Sequence, residues 1–382
     1  MEEEGGRKLI VELVCERALL MHVNILAVTL LLVSPASGLL ASDRWTRAET
    51  LNADEALTSL EFSRNGKSLI GGGNFTLRLW DVQGKSPIVK IASDRRAADA
   101  KDIRPAMNGP AAFAMDGSAF AGLQVSSSAN RLVVRRAADN QEVGSFDLGE
   151  IVDPHDLEFT PDGMSVLAAG FVGYDEALLC YGTIVKCDLS TKKIKKVVEV
   201  RGSDVDSIAI SQDGKWCVFG QSRGRISVLS TTTWESIREI RAKDANDADI
   251  IAVDVSRDGR WIASGGRDYI VRVWESDTGK ERGRFANHII MAERERELSG
   301  MVRTVVFSPD ARLVASGGVN SIVRLWDWKN GIEAAKLDCG GRVWSVAFSH
   351  DGNSLAISVD GSGTKRPEVQ IWKRTGPNEA SE

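Results

Sequence analysis

The stretch FSPDARLVASGGVNSIVRLWDW, Phe307 to Trp328, divides into four pieces. A strand ends at Phe307-Ser308 and a tight turn follows at Pro309-Asp310. A short apolar strand is then closed by Gly317-Gly318, and a third strand runs into Trp326-Asp327-Trp328. Three short strands of this kind cannot cover their own apolar faces, so the segment must belong to a larger sheet assembly.

The first half of the stretch recurs along the chain, at Phe62, Phe113, Phe159, Ile210, Val255, Phe307 and Phe348. Successive starts differ by 51, 46, 51, 45, 52 and 41 residues, close to the ~40–45 expected of a four-stranded repeat unit. In six of the seven units an alternating strand a enters an Asp-Gly or Asn-Gly turn, whose tolerance of positive φ suits a hairpin, and in the sixth Asp310-Ala311 stands there. An apolar strand b follows. Strand c ends in a tryptophan at Trp80, Trp274, Trp326 and Trp372. Strand d is more polar, as suits an outer edge where charge discourages pairing with other chains.

These residues carry a resemblance to the WD-repeat β-propeller family over about Trp45 to Gly376, through the four strand-c tryptophans, the Trp80-Asp81 and Trp326-Asp327 pairs and the repeated SPDG-like turn. The resemblance implies an all-β, seven-bladed propeller of four-stranded antiparallel blades. Its departures concern the internal hydrogen-bond network. Arg135, Cys187 and Leu229 replace the strand-c tryptophan in units two to four, the Gly-His dipeptide before strand a is missing, and Asn74 and Asn320 stand where unit five has Asp268. Apolar packing between blades is therefore expected to carry more of the stability.

After Trp372 the tail KRTGPNEASE is too short and too rich in Pro and Gly for a fourth strand, whereas RWTRAETL, Arg44 to Leu51, alternates correctly and has no blade of its own. It is expected to complete the last blade and close the ring, removing the seam of an open toroid. The domain plan is an export or anchor segment at 1–41, the propeller at 42–376 and a polar tail at 377–382.

All the long insertions fall on one face, in the d–a connections at Ser93 to Gly109, Arg241 to Asp249 and Ala286 to Gly300, and in the b–c connections at Phe171 to Gly182 and Val359 to Glu368. Loops held by a rigid scaffold are where binding concentrates. On that face, the residue four before each aligned apolar position is expected at the mouth of the central channel: Thr58, Gly109, His155, Asp206, Ile251, Arg303 and Trp344. The resemblance implies that partner peptides dock there. His155, Asp206, Arg303 and Trp344, with Arg267 and His288, are the candidate contacts, Trp and Arg being the types most enriched in binding hot spots.

Catalytic signatures are weak. The four histidines, His22, His155, His288 and His350, are scattered over too many repeats for a histidine-based metal site, and no GxSxG, HExxH or P-loop occurs. DANDAD (Asp244 to Asp249) lacks the glycine and glutamate of a calcium loop, so a solvated acidic loop is expected. ERERE (Glu293 to Glu297) reads as a charged turn facing solvent. SRDGRW at Ser256 is the a–b turn shared by all units. No cofactor or metal is assigned. Two functions fit: a non-catalytic scaffold for a protein or peptide, acting as a monomer within a complex, or a propeller enzyme (hydrolase or lyase) with a polar or metal site at the channel mouth.

A net charge of −5 with 26% charged residues argues against a nucleic-acid binder. From Ile25 the uncharged run ILAVTLLLVSPASGLLAS is apolar and then rich in small residues, and its fully apolar part has the length of a signal-peptide core, shorter than a ~20-residue span. Cleaved export to the periplasm or outside the cell is expected, with Met21 an alternative start. An uncleaved membrane anchor from about Ala18 to Ala41 is the other reading. Of the five cysteines, Cys187 and Cys217 fall inside strand patterns and are expected as buried apolar groups, and export permits a disulfide among Cys180, Cys187, Cys217 and Cys339 without requiring one.

Overall fold

Alternation along each short segment, punctuated by glycine turns, produces strands and little else. The computed structural model describes residues 44–375 apart from 74–75, 83–86, 93–108, 126–129, 178, 244, 246–247, 287–300 and 362–365. Segment 1–41, the tail 377–382, His288, the ERERE turn and half of DANDAD lie outside the described residues. Among those described, seven antiparallel sheets of four strands each form the seven blades of a propeller. Blade 6 holds the opening stretch, with strands Val302–Phe307, Leu313–Gly318, Ile322–Asp327 and Ile332–Asp338.

The ring closes as the alternation requires. The strand Arg44–Asn52 pairs antiparallel with Glu368–Thr375, the third strand of blade 7, from Arg44 opposite Thr375 to Asn52 opposite Glu368. Trp45 and Leu51 turn inward from it and are buried, Trp45 against blades 6 and 7 and Leu51 against blades 7 and 1.

Seven buried apolar clusters divide the core, each spanning one pair of neighbouring blades. The tryptophans of the opening stretch serve the interface between blades 5 and 6. Trp326 stacks on Phe285 at 4.6 Å and Trp328 packs on Trp261 at the same distance. The indole N–H of Trp328 donates to the Ala311 carbonyl at 2.9 Å.

The family's hydrogen-bond network survives only in part. Trp274 and Trp326 each donate Nε1–H to a strand-b serine, Ser264 and Ser316, at 2.8 Å. In blade 1 the corresponding register position is Gly71, opposite Arg78, and the buried Trp80 indole N–H is left without a partner. In blade 5 Asp268 instead pairs with the fully buried Arg272, at 2.5 Å. Ser264→Ala leaves the Trp274 indole N–H orphaned as well, so we expect a loss of about 1–3 kcal/mol in denaturant unfolding.

One sequence expectation needs adjustment. The blade 3 insertion at 171–182 is mostly not a loop: strands Ser165–Tyr174 and Cys180–Asp188 extend through it as a long hairpin, with Tyr174 and Leu179 exposed near its tip. Cys187 and Cys217 are buried as expected, and the four described cysteines, Cys180 and Cys339 included, are free thiols.

Candidate functional site

Strand a of each blade lines the channel, and its backbone decides what reaches the mouth. In five blades the register slips by one residue at the same place, leaving Thr58, His155, Ile251, Arg303 and Trp344 as the extra residues. A bulge of this kind re-aims a side chain, and these five, with Asp206, line a cavity of about 210 Å³. Six of the seven expected mouth residues therefore share one opening. Gly109 does not: it packs against the backbone of Gly73, where a Cβ would come within 1.8 Å of the Gly73 carbonyl oxygen.

The mouth is electrically divided. On one side the Arg303 guanidinium lies over the Trp344 ring at 4.1 Å. Burial lowers the Arg303 pKa from its ordinary value, as do the neighbouring Arg267 and Arg342, while Asp206 and Asp360 oppose them. The buried Trp344 indole nitrogen has no hydrogen-bond partner. Arg267, more than half exposed, pairs with Asp249 at 3.1 Å.

On the other side is His155, with only 8% of its side chain exposed. Its Nε2 faces Asp153 at 3.4 Å, and its Nδ1 faces Asp206 at 3.3 Å and Asp204 at 3.6 Å. Burial pulls the imidazolium pKa down, but these three carboxylates outweigh it and hold His155 well above the ordinary value. Burial pushes Asp204 up to about 6. The three donors His155, Asp204 and Asp206 fall within 4.8 Å of one another and could hold a metal ion.

Deeper in the channel Glu61, Asp156, Glu158 and Asp254 face the axis. Each is only partly exposed within the channel. Three accept a backbone N–H from the next described strand a around the ring: Glu61 from Phe113 at 2.7 Å, Asp156 from Ile208 at 2.9 Å and Asp254 from Phe307 at 2.7 Å. Burial pushes Glu61 up to about 8, Asp254 to about 7 and Asp156 to about 6. Glu158 is raised well above the carboxylate range by burial, then by the charges of Glu61, Asp156 and Asp254. At the opposite opening His350 lies with Arg64 and Arg257 beside a cavity of about 300 Å³.

Sequence reasoning found His155, Asp206, Arg303 and Trp344 but missed Asp153, Asp204 and the inner acids. A signal for the inner acids was present: LEFS, LEFT and VDVS place an acid directly before the aligned apolar residue in three of the seven units. Asp204 had none, since it comes from the next blade and only the ring brings it to His155.

With that geometry in place, known proteins supply the frame. The profile of the WD domain, G-beta repeat, matches residues 45–81, and that of the Cytochrome D1 heme domain matches residues 179–369, half of the chain. Among curated proteins, Protein FIZZY-RELATED 3 of Arabidopsis thaliana is 22% identical over 48% of this chain and 44% of its own length. Eukaryotic translation initiation factor 3 subunit I of Xenopus tropicalis is 29% identical over 30% and 32%, and Small ribosomal subunit protein RACK1y of Oryza sativa subsp. japonica 33% identical over 29% and 28%. The chain thus spans less than half the length of the curated relatives it matches.

A heme needs an axial donor with a free lone pair and a largely apolar slot. Among the described residues, the His155 cavity is lined by acids and is smaller than the ~300 Å³ at which small-molecule pockets begin. These residues do not fit a heme.

Proposed function

The chain belongs to the WD-repeat β-propeller family, and on that premise we propose that it is a non-catalytic scaffold binding a protein or peptide on the long-loop face. The observation that carries this reading is the bulge-aimed set at the channel mouth, where Arg303 stacks on Trp344 and the indole N–H is left unpartnered. Such a pair offers an anchor of the kind that dominates interface energies. The exposed Tyr174 and Leu179, near the tip of the blade 3 hairpin, add apolar surface on the same side. Two of the relatives are named as components of assemblies, an initiation-factor subunit and a ribosomal-subunit protein. The negative net charge and the acid-lined channel oppose a polyphosphate partner. Export through the segment beginning at Ile25 is part of the proposal.

Cross-linking in the native cell followed by mass spectrometry identifies the partner. Arg303→Ala and Trp344→Ala should then each weaken its binding by at least about tenfold, with melting temperatures kept. Unaltered capture by both folded variants would remove this surface from the reading. The enzyme alternative, a hydrolase or lyase, draws on the polar cluster around His155 and on the heme-domain match.

A further inference from the structure

We propose that His155, Asp204 and Asp206 form a binding site for a divalent first-row metal ion, with Zn²⁺ the ion best suited to the donor set. The inference does not depend on the partner proposed above. An acidic cluster alone would carry no such weight; the histidine supplies the second observation. His155 is more than nine-tenths buried, and its Nδ1 has no hydrogen-bond partner although it points between the two carboxylates. Its bulge position aims the ring at the neighbouring blade.

The distances suit a small ion. Tetrahedral bonds of about 2.05 Å put adjacent donors roughly 3.4 Å apart. Here Nδ1 lies 3.3 Å from Asp206 Oδ1 and 3.6 Å from Asp204 Oδ2. All three donors fall within 4.8 Å, and a small rotation of the partly exposed Asp206 closes the remainder. The other oxygen of Asp204 accepts the Val205 N–H at 2.8 Å, which fixes that carboxylate with Oδ2 toward His155.

The far side of the ring has the arrangement that metal-bound histidines use. Nε2 faces Asp153 at 3.4 Å, so Nε2–H can donate to the Asp153 carboxylate and leave the Nδ1 lone pair for the ion. One nitrogen and two carboxylate oxygens match Zn²⁺ better than Ca²⁺, which collects six to eight oxygens. Three protein donors leave a fourth position open toward the cavity for water or an oxygen of a docking partner.

Isothermal titration of the metal-stripped full-length protein with Zn²⁺ tests this, with Co²⁺ absorption as a report on tetrahedral ligation. We expect one equivalent bound with a dissociation constant of about 1 µM or tighter. His155→Gln should weaken binding by at least about 100-fold and Asp206→Asn by at least about tenfold, while Asp153→Asn, a positioning change, costs about tenfold and shifts the Co²⁺ spectrum. Circular dichroism confirms that each variant is folded, and Asp206, being partly exposed, is the variant least exposed to folding failure. No uptake by folded wild-type protein overturns the proposal and leaves an imidazolium held by three carboxylates. Uptake unchanged in both His155→Gln and Asp206→Asn overturns it as well, because the ion is then bound elsewhere.

Discussion

The protein lacking residues 1–52 melts at least about 10 °C below the protein lacking only residues 1–42. The second deletion leaves the closing strand Arg44–Asn52 in place and the first removes it. Losing the strand uncovers the backbone edge of Glu368–Thr375 along its full register. It also empties the sites of two buried side chains, Trp45 at 7% exposure and Leu51 at 0%. Truncating a buried tryptophan or leucine costs about 3–5 and 2–5 kcal/mol respectively. A loss of at least about 5 kcal/mol, at roughly 2 °C per kcal/mol for a domain of this size, gives the stated shift. Trp45→Ala alone should account for about half of it. The bare edge is also a template for pairing with other chains, so the shorter protein should aggregate on heating. Equal melting temperatures for the two deletions would show that the ring does not depend on its closing strand.

Stability should also fall as pH rises from about 5 to 9, against the habit of most proteins with paired surface carboxylates. A carboxyl whose pKa is raised by folding holds its proton more tightly in the folded than in the unfolded chain. Its contribution is fully present below the unfolded value near 4 and is lost as pH climbs through the folded one. For Asp254 and Glu61 that window runs up to about 7 and about 8, and Glu158 is displaced in the same direction. Because the three interact with one another or with Asp156, they titrate as a group. One pK unit corresponds to about 1.4 kcal/mol, so Glu61 alone has an upper limit near ~5 kcal/mol. Their partial exposure to the channel screens these groups, and a total of about 2 kcal/mol across the window is the expected size. Glu158→Gln keeps the shape, removes one titrating proton and relieves the repulsion, so it should flatten the profile and stabilise the protein above pH 8. Denaturant midpoints measured at fixed ionic strength from pH 5 to 9 decide this. A midpoint that rises with pH, or a variant profile identical to wild type, would refute it.

Both predictions concern groups that the sequence exposed to different degrees. The closing strand was legible because period-two alternation in RWTRAETL had no blade to join and the tail after Trp372 could not supply one. The mouth residues were legible because seven aligned repeats share one geometry, so a fixed offset from Phe307 or Phe159 points to one ring. Gly109 escaped the rule because Gly73 of the preceding blade needs its space. The blade 3 insertion escaped because its residues prolong a hairpin ladder that the repeat pattern does not foresee.

By itself, then, the sequence determined the number of blades, the order of strands within each, the closing strand and the residues that ring the channel mouth. All of these follow from periodicity along the chain, which is local information repeated seven times. Only the tertiary structure decided which of those residues meet. His155 faces Asp204 and Asp206 from about fifty residues away, and Glu158 feels Glu61 from nearly a hundred, because closing a ring places side chains from distant blades around one axis. The low-dielectric enclosure that lifts the channel carboxyls arises from that convergence and has no counterpart in any single repeat.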